Sequence, residues 1–183
     1  MLIHIDNLDK ARESIYQGNI LAYPTEAVYG LGCDPFNEQA VLRILSLKHR
    51  LVGQGLIVLI SQWSQLFPLI GTVTDSAMET IRATWPGPTT WVFPKSTLVP
   101  TWVSGHHPSI AIRMTTHPVA AQLCQDGPLV STSANIHGQE PARSLEELEN
   151  QFPSGIDAVV LGSLGQAKKP SSIYDALTGE QLR

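Results

Sequence analysis

Residues 56–60 read LIVLI, a run that is apolar at every position. A strand with one face in water alternates apolar and polar side chains, so this run predicts a strand buried on both faces of a sheet. Such a strand needs helices to cover it. The preceding sequence, EQAVLRILSLK at 38–48, repeats apolar residues at the spacing of a helix face behind Asn37, a typical N-cap. The stretch therefore predicts an α/β fold.

Helix and strand patterns alternate along the rest of the chain. We expect no linker, repeat or low-complexity tract, and therefore a single α/β domain over 1–183: a twisted, open, mixed sheet flanked by helices. The last thirteen residues predict a hairpin across Thr178 and Gly179. The other segments are helices at 7–18, 61–70, 74–84, 117–127 and 144–152, and strands at 19–23, 89–94, 109–114, 128–135 and 157–162.

Composition excludes several classes of protein. The net charge of -4 argues against a protein that coats nucleic acid or anionic membrane indiscriminately. No apolar stretch reaches the roughly 18 residues of a membrane span, and the N-terminus has no signal-peptide pattern. Cys33 and Cys124 lie far apart and without metal-site spacing. We expect a reduced, cytoplasmic protein without a membrane partner.

Familiar catalytic motifs are absent from the sequence. It has no Walker-type phosphate loop, no G-x-S-x-G elbow and no H-E-x-x-H. A small hydrolase using Ser131 or Ser133 therefore lacks a recognisable elbow and base. Adjacent His106 and His107 have no carboxylate or cysteine nearby, so we interpret them as exposed polar residues and predict no protein metal ligands.

Two pairs of polar residues are each separated by one position. Lys48 and Arg50 could face one ligand only if the helix has ended before Arg50, which Gly53 downstream favours. Two neighbouring cations would then fit an anion. Ser133 and Asn135 follow an apolar strand, where ligands often bind in α/β sheets. The alternatives are a solvated helix end and an ordinary turn.

Arg113 lies in the apolar run SIAIRM at 109–114. A buried guanidinium is costly unless it is paired, so this residue either binds an anionic ligand or forms a structural salt bridge. The WPGPTT loop at 85–90 offers Thr90 either to a phosphate or to a strand. The sequence leaves both alternatives open.

Taken in order, YPTEAVYGLGCDP, LKHR, WPGPTT, IAIRM and STSAN resemble the YrdC/TsaC family of threonylcarbamoyl-AMP synthases. The resemblance covers the chain from about residue 8 to the closing DALTGE. It implies a large positive cavity and a nucleotidyltransferase reaction. L-threonine, bicarbonate or CO2, and ATP give threonylcarbamoyl-adenylate and pyrophosphate, the first step toward the t6A modification of tRNA. It also implies Mg2+ bound with ATP and hand-over of the product to a tRNA-modifying complex.

The resemblance also implies roles for individual residues. The irregular loop at 22–35 would hold a small zwitterion beside a nucleotide. Two departures from the family pattern, Leu51 after the K-x-R arginine and His137 after S-A-N, leave the path of the first loop open. The rival hypothesis is an RNA-binding maturation factor without ATP turnover, which contacts tRNA or rRNA through the same cations. The implied ATP site is Lys48, Arg50, Thr90, Ser133 and Asn135, with Lys48 and Arg50 catalytic, and the implied threonine site is Thr25, Tyr29 and Arg113.

Overall fold

A nine-stranded mixed sheet forms the centre of the protein in a computed structural model that describes residues 2–167 and 170–183. The sheet order is β1-β8-β2-β3-β7-β4-β6-β5-β9. Its strands are β1 (Ile3–Ile5), β2 (Leu21–Pro24), β3 (Tyr29–Cys33), β4 (Ile57–Ile60), β5 (Thr89–Pro94), β6 (Ser109–Met114), β7 (Leu129–Ser133), β8 (Ala158–Val160) and β9 (Ser172–Asp175).

Helices cover both faces of this sheet. Along β4, Val58 and Ile60 pack into one apolar cluster with α2, whereas Leu59 packs into a second cluster with α1 and α6. The prediction that LIVLI is buried on both faces is confirmed for Val58, Leu59 and Ile60, whereas Ile57 is half-buried. The helices are α1 (Leu8–Tyr16), α2 (Glu38–Leu47), α3 (Trp63–Leu66), α4 (Asp75–Thr84), α5 (Thr101–Ser104), α6 (Pro118–Leu123) and α7 (Leu145–Gln151).

The strand directions are mixed, as the sequence predicts. Strand β8 runs parallel to β1 and β2, β4 runs parallel to β6, and β5 runs parallel to β9. The pairs β2–β3, β3–β7, β4–β7 and β5–β6 are antiparallel. Because β8 and β9 lie near opposite edges, the segment that joins them crosses the sheet.

Three sequence-based expectations were wrong in part. Residues 22–35 are not an irregular loop, because Tyr29–Cys33 pairs with β2 as a strand of a tight hairpin. The helix expected over 61–70 is only the short Trp63–Leu66, where Gln62 and Gln65 form a capping box. Strand β1 was not expected, and its three residues pair only with β8. The closing hairpin is one antiparallel bridge, Tyr174 with Gln181.

Candidate active site

One face of the sheet forms the floor of a cavity of about 680 Å³, a volume within the usual range for small-molecule sites. The cavity exists because side chains on this part of the sheet are small. Ser131 lies between Gly32 of β3 and Ile57 of β4 in register, and Ile57 lies beside Ala111 of β6. On the next row, Gly30 faces Ser133. Larger residues here would fill the space.

The two strand glycines make room for a buried tyrosine. A Cβ on Gly30 would lie 3.3 Å from the ring of Tyr23, and a Cβ on Gly32 would lie 2.8 Å from it. The Tyr23 hydroxyl donates a 2.7 Å hydrogen bond to Ser131, which lines the cavity. Burial raises the pKa of Tyr23, so this hydroxyl stays protonated. The glycines of YGLG therefore serve packing beneath the cavity.

A tight turn carries Thr25 and Glu26 into the cavity wall. The Thr25 backbone N–H and hydroxyl both donate to the Val28 carbonyl, at 3.1 and 2.7 Å. The segment that follows β8 donates two more hydrogen bonds. They run from the Gly165 N–H to the Thr25 carbonyl and from the Ala167 N–H to the Glu26 carbonyl, both at 2.9 Å. A Cβ on Gly165 would lie 2.6 Å from the Glu26 carbonyl oxygen, so only glycine permits this approach.

Arg113 and Glu26 form an ion pair in the wall of the cavity. Arg113 Nη1 lies 3.1 Å from Glu26 Oε2, and both side chains are largely buried. Glu26 Oε1 accepts a 2.7 Å hydrogen bond from the Thr115 hydroxyl. Burial alone would raise the pKa of Glu26, but the Arg113 charge and the Thr115 hydrogen bond outweigh it and lower the pKa. The structural salt bridge predicted for Arg113 is therefore present, and the residue also lines the cavity.

Lys48 lies at the C-terminal end of α2, and its side chain forms hydrogen bonds at the end of β7. Its side chain is 4% exposed, and its ammonium donates to the Ser133 carbonyl, to the Asn135 carbonyl at 2.9 Å and to Asn135 Oδ1 at 3.2 Å. Burial, and then the charge of Arg50, lower the pKa of Lys48 to about 8. The residue does not line the cavity.

Arg50 lines the cavity from the loop that follows α2. The helix ends at Leu47, and Arg50 Nη2 donates to the Gly55 carbonyl at 2.7 Å. Burial lowers the pKa of Arg50, which remains a cation. Leu51 is 75% exposed and begins a turn of 3-10 helix at Val52–Gln54, which fixes the path that the sequence left open. The helix ends before Arg50, as the sequence suggested, but the two cations do not line one cavity together: Arg50 lines it and Lys48 does not.

The sequence-predicted residues divide into two layers. Thr90 is fully buried, and its hydroxyl shares a 2.9 Å hydrogen bond with Ser171. The Ser133 hydroxyl donates a 2.6 Å hydrogen bond to Asn135 Oδ1. Lys48, Thr90 and Asn135 do not line the cavity: Lys48 and Thr90 are buried, and Asn135 is half-buried. Those that line the cavity are Thr25, Tyr29, Arg50, Arg113 and Ser133.

Glu26 and Ser171 line the cavity and were missed by sequence reasoning. Glu26 directly follows Thr25 in the P-T-E stretch, which was the available signal. Ser171 comes from a segment distant in sequence, and its hydrogen bond to Thr90 exists only in the folded chain, so no sequence signal pointed to it.

Among residues 2–167 and 170–183, no group of three His, Cys, Asp or Glu side chains could hold a metal ion. No helix in that part of the chain is long and apolar enough to cross a membrane.

Comparison with known proteins identifies the family. The family model named for Sua5, YciO and YrdC, described as telomere recombination, matches residues 13–183. A curated threonylcarbamoyl-AMP synthase of Coxiella burnetii is 46% identical to the chain over 98% of each sequence. Another, from Halorhodospira halophila, is 49% identical over 94% of this chain and 92% of its own.

A solved structure, P. abyssi Sua5 complexed with L-threonine, has the same fold. It superposes with a TM-score of 0.88 at 31% identity and covers 96% of this chain. This chain spans 54% of that longer protein. The sequence match covers nearly all of the chain, and the structural match includes the cavity-bearing sheet. The chain therefore belongs to the Sua5/YciO/YrdC family.

Proposed function

We propose that the chain is a threonylcarbamoyl-AMP synthase, a nucleotidyltransferase that uses L-threonine, bicarbonate or CO2, and ATP. The observation that carries the proposal is one cavity whose described lining includes three guanidinium groups, Arg50, Arg113 and Arg183, from separate parts of the chain. Two anionic substrates can be neutralised there side by side. The curated relatives at 46% and 49% identity bear the name of this activity.

The reaction brings two mutually repelling anions together. The neutral threonine amine first combines with CO2 to form a carbamate and release one proton, or with bicarbonate to form the carbamate and water. A carbamate oxygen then bonds to the α-phosphorus of ATP, while the bond from that phosphorus to the bridging oxygen breaks and pyrophosphate leaves. A protein lowers this barrier by holding both substrates in line and surrounding them with preorganised cations and donors.

The geometry supports distinct roles for the two layers of the site. We assign Arg50 and Ser133 to the phosphates, and Thr25, Tyr29 and Arg113 to threonine, whose carboxylate suits the guanidinium of Arg113. The supporting layer holds these groups in place. In it, Lys48 and Asn135 fix Ser133, Lys48 also contributes positive charge from behind the wall, and Thr90 fixes Ser171.

ATP brings Mg2+ as part of the substrate in this proposal. The described carboxylates do not form a metal-binding cluster, so phosphate oxygens and water would supply the magnesium ligands. The labile adenylate then passes to a tRNA-modifying complex, and we place both steps in the cytoplasm. Direct contact with tRNA at the cavity rim is compatible with this path.

Pyrophosphate release tests the proposal. The protein is incubated with threonine, bicarbonate and ATP, and each is omitted in turn. Release that needs all three supports the synthase. Release without threonine would contradict it. No release, combined with RNA binding that falls steeply with salt, would favour the RNA-binding alternative.

A further inference from the structure

Arg113 is a buried cation whose charge is only partly satisfied. Within the described ranges its one ion pair is with Glu26 Oε2, 3.1 Å from Nη1, and the residue also lines the cavity. It lies beside Leu59 in the sheet register, so an apolar strand supports its backbone. A guanidinium in such surroundings binds an anion well, because little water competes.

Hydrogen bonds hold both the side chain and the backbone of Glu26 in place. Its Oε1 accepts from the Thr115 hydroxyl at 2.7 Å and from the Thr116 N–H at 3.4 Å, both just beyond β6. Its backbone carbonyl accepts from Ala167 at 2.9 Å. Its Oε2 is buried and has no hydrogen-bond donor in the described part of the chain. The carboxylate therefore stays as a fixed negative charge in the cavity wall.

Arg113 and Glu26 place a positive and a negative charge side by side, and such a pair favours ligands that carry both charges in the complementary arrangement. A simple carboxylate on Arg113 would place its negative charge next to Glu26 and be repelled. A zwitterion brings an ammonium beside its carboxylate and offsets that repulsion. Building on the proposed function, we propose that Glu26 is a specificity-determining positioning residue, which orients Arg113 and makes the site prefer an α-amino acid over the corresponding α-hydroxy acid.

Direct binding tests this proposal without requiring turnover. Calorimetry compares L-threonine with 2,3-dihydroxybutyrate, in which a hydroxyl replaces the ammonium, for the full chain and its variants. We expect Glu26→Gln to reduce the preference for threonine at least about tenfold, because it removes the negative charge and keeps an oxygen for Thr115. Glu26→Asp keeps the charge and should retain most of the preference, which covers the case in which Glu26→Gln does not fold.

Glu149→Gln is the matched control, since Glu149 is an exposed carboxylate on α7 that does not line the cavity. It should leave the preference unchanged. An unchanged preference in Glu26→Gln, an equal loss in Glu149→Gln, or a lost preference in Glu26→Asp would each overturn the proposal. Failure of the proposed function is separate, because it would appear as wild-type protein that binds threonine selectively and releases no pyrophosphate.

Discussion

Replacing Lys48 with methionine keeps a side chain of similar length and removes its three donors. Asn135 Oδ1 keeps the Ser133 hydroxyl as a donor, and the Ser133 carbonyl keeps the Asn135 backbone N–H at 3.0 Å, but the Asn135 carbonyl loses the ammonium. A buried acceptor without a donor costs about 1–3 kcal/mol. The substitution also removes a buried charge, which acts in the opposite direction.

The size of that opposing effect follows from the pKa of Lys48, which burial and then Arg50 lower from 10.5 to about 8. At about 1.4 kcal/mol per pKa unit, the protonated side chain costs the folded state on the order of 3 kcal/mol below pH 8. The two effects are of similar size near neutral pH, so the substitution should change the free energy of unfolding there by no more than about 2 kcal/mol. Between pH 8 and 10.5 the unfolded chain binds a proton that the folded chain does not, so wild-type stability rises with pH through this group.

Urea unfolding of both proteins, near neutral pH and near pH 10, measures the effect. We expect the difference in free energy of unfolding between wild type and Lys48→Met to widen at the higher pH, by up to about 3 kcal/mol. Lys10→Met, at an exposed position on α1, is the control for the side-chain change itself. If the free energy of unfolding of wild type relative to Lys48→Met stays constant or falls with pH, the buried position of the Lys48 ammonium is refuted.

Three further predictions concern other parts of the site. Arg50→Ala should lower pyrophosphate release at least about tenfold, or roughly 1.4 kcal/mol of transition-state stabilisation; an unchanged rate in folded protein would refute its role. Gly165→Ala should raise the KM for threonine and destabilise the fold by about 1–3 kcal/mol. Gly127→Ala is the control: its added Cβ would meet only the Tyr16 hydroxyl, at 3.1 Å, so KM and stability should not change. Equal effects of the two substitutions would refute the account of Gly165. Tyr23→Phe should cost about 0.5–1.5 kcal/mol in urea unfolding, and no loss would contradict its hydrogen bond.

Elements with strong periodicity were predictable from the sequence. The apolar run at 56–60 requires a two-faced strand, and Asn37 accepts from the Ala40 N–H as an N-cap should. The glycines at 30 and 32 were misinterpreted as loop residues. Their purpose is visible only when Tyr23 lies over them, because the ring comes from the neighbouring strand. Local patterns carry no information about such contacts across a sheet.

The candidate site was predictable in part for the same reason. Residues near one another in sequence, such as Lys48 and Arg50, indicated a cation pair, but burial separates them into a supporting and a lining layer. Glu26 and Arg113 lie far apart in the chain, and only the fold pairs them. The sequence therefore named five residues that line the cavity, whereas the direction of each side chain depended on packing between distant elements.

Product analysis tests most directly the claim that one cavity joins threonine to ATP through a carbamate. The protein is incubated with threonine, ATP and carbon-13 bicarbonate, and the adenylate is analysed by mass spectrometry. The account predicts a single adenylate that contains threonine and one labelled carbon, in wild type and at a much reduced level in Arg50→Ala. An adenylate without the label, or one formed equally well by Arg50→Ala, would contradict it.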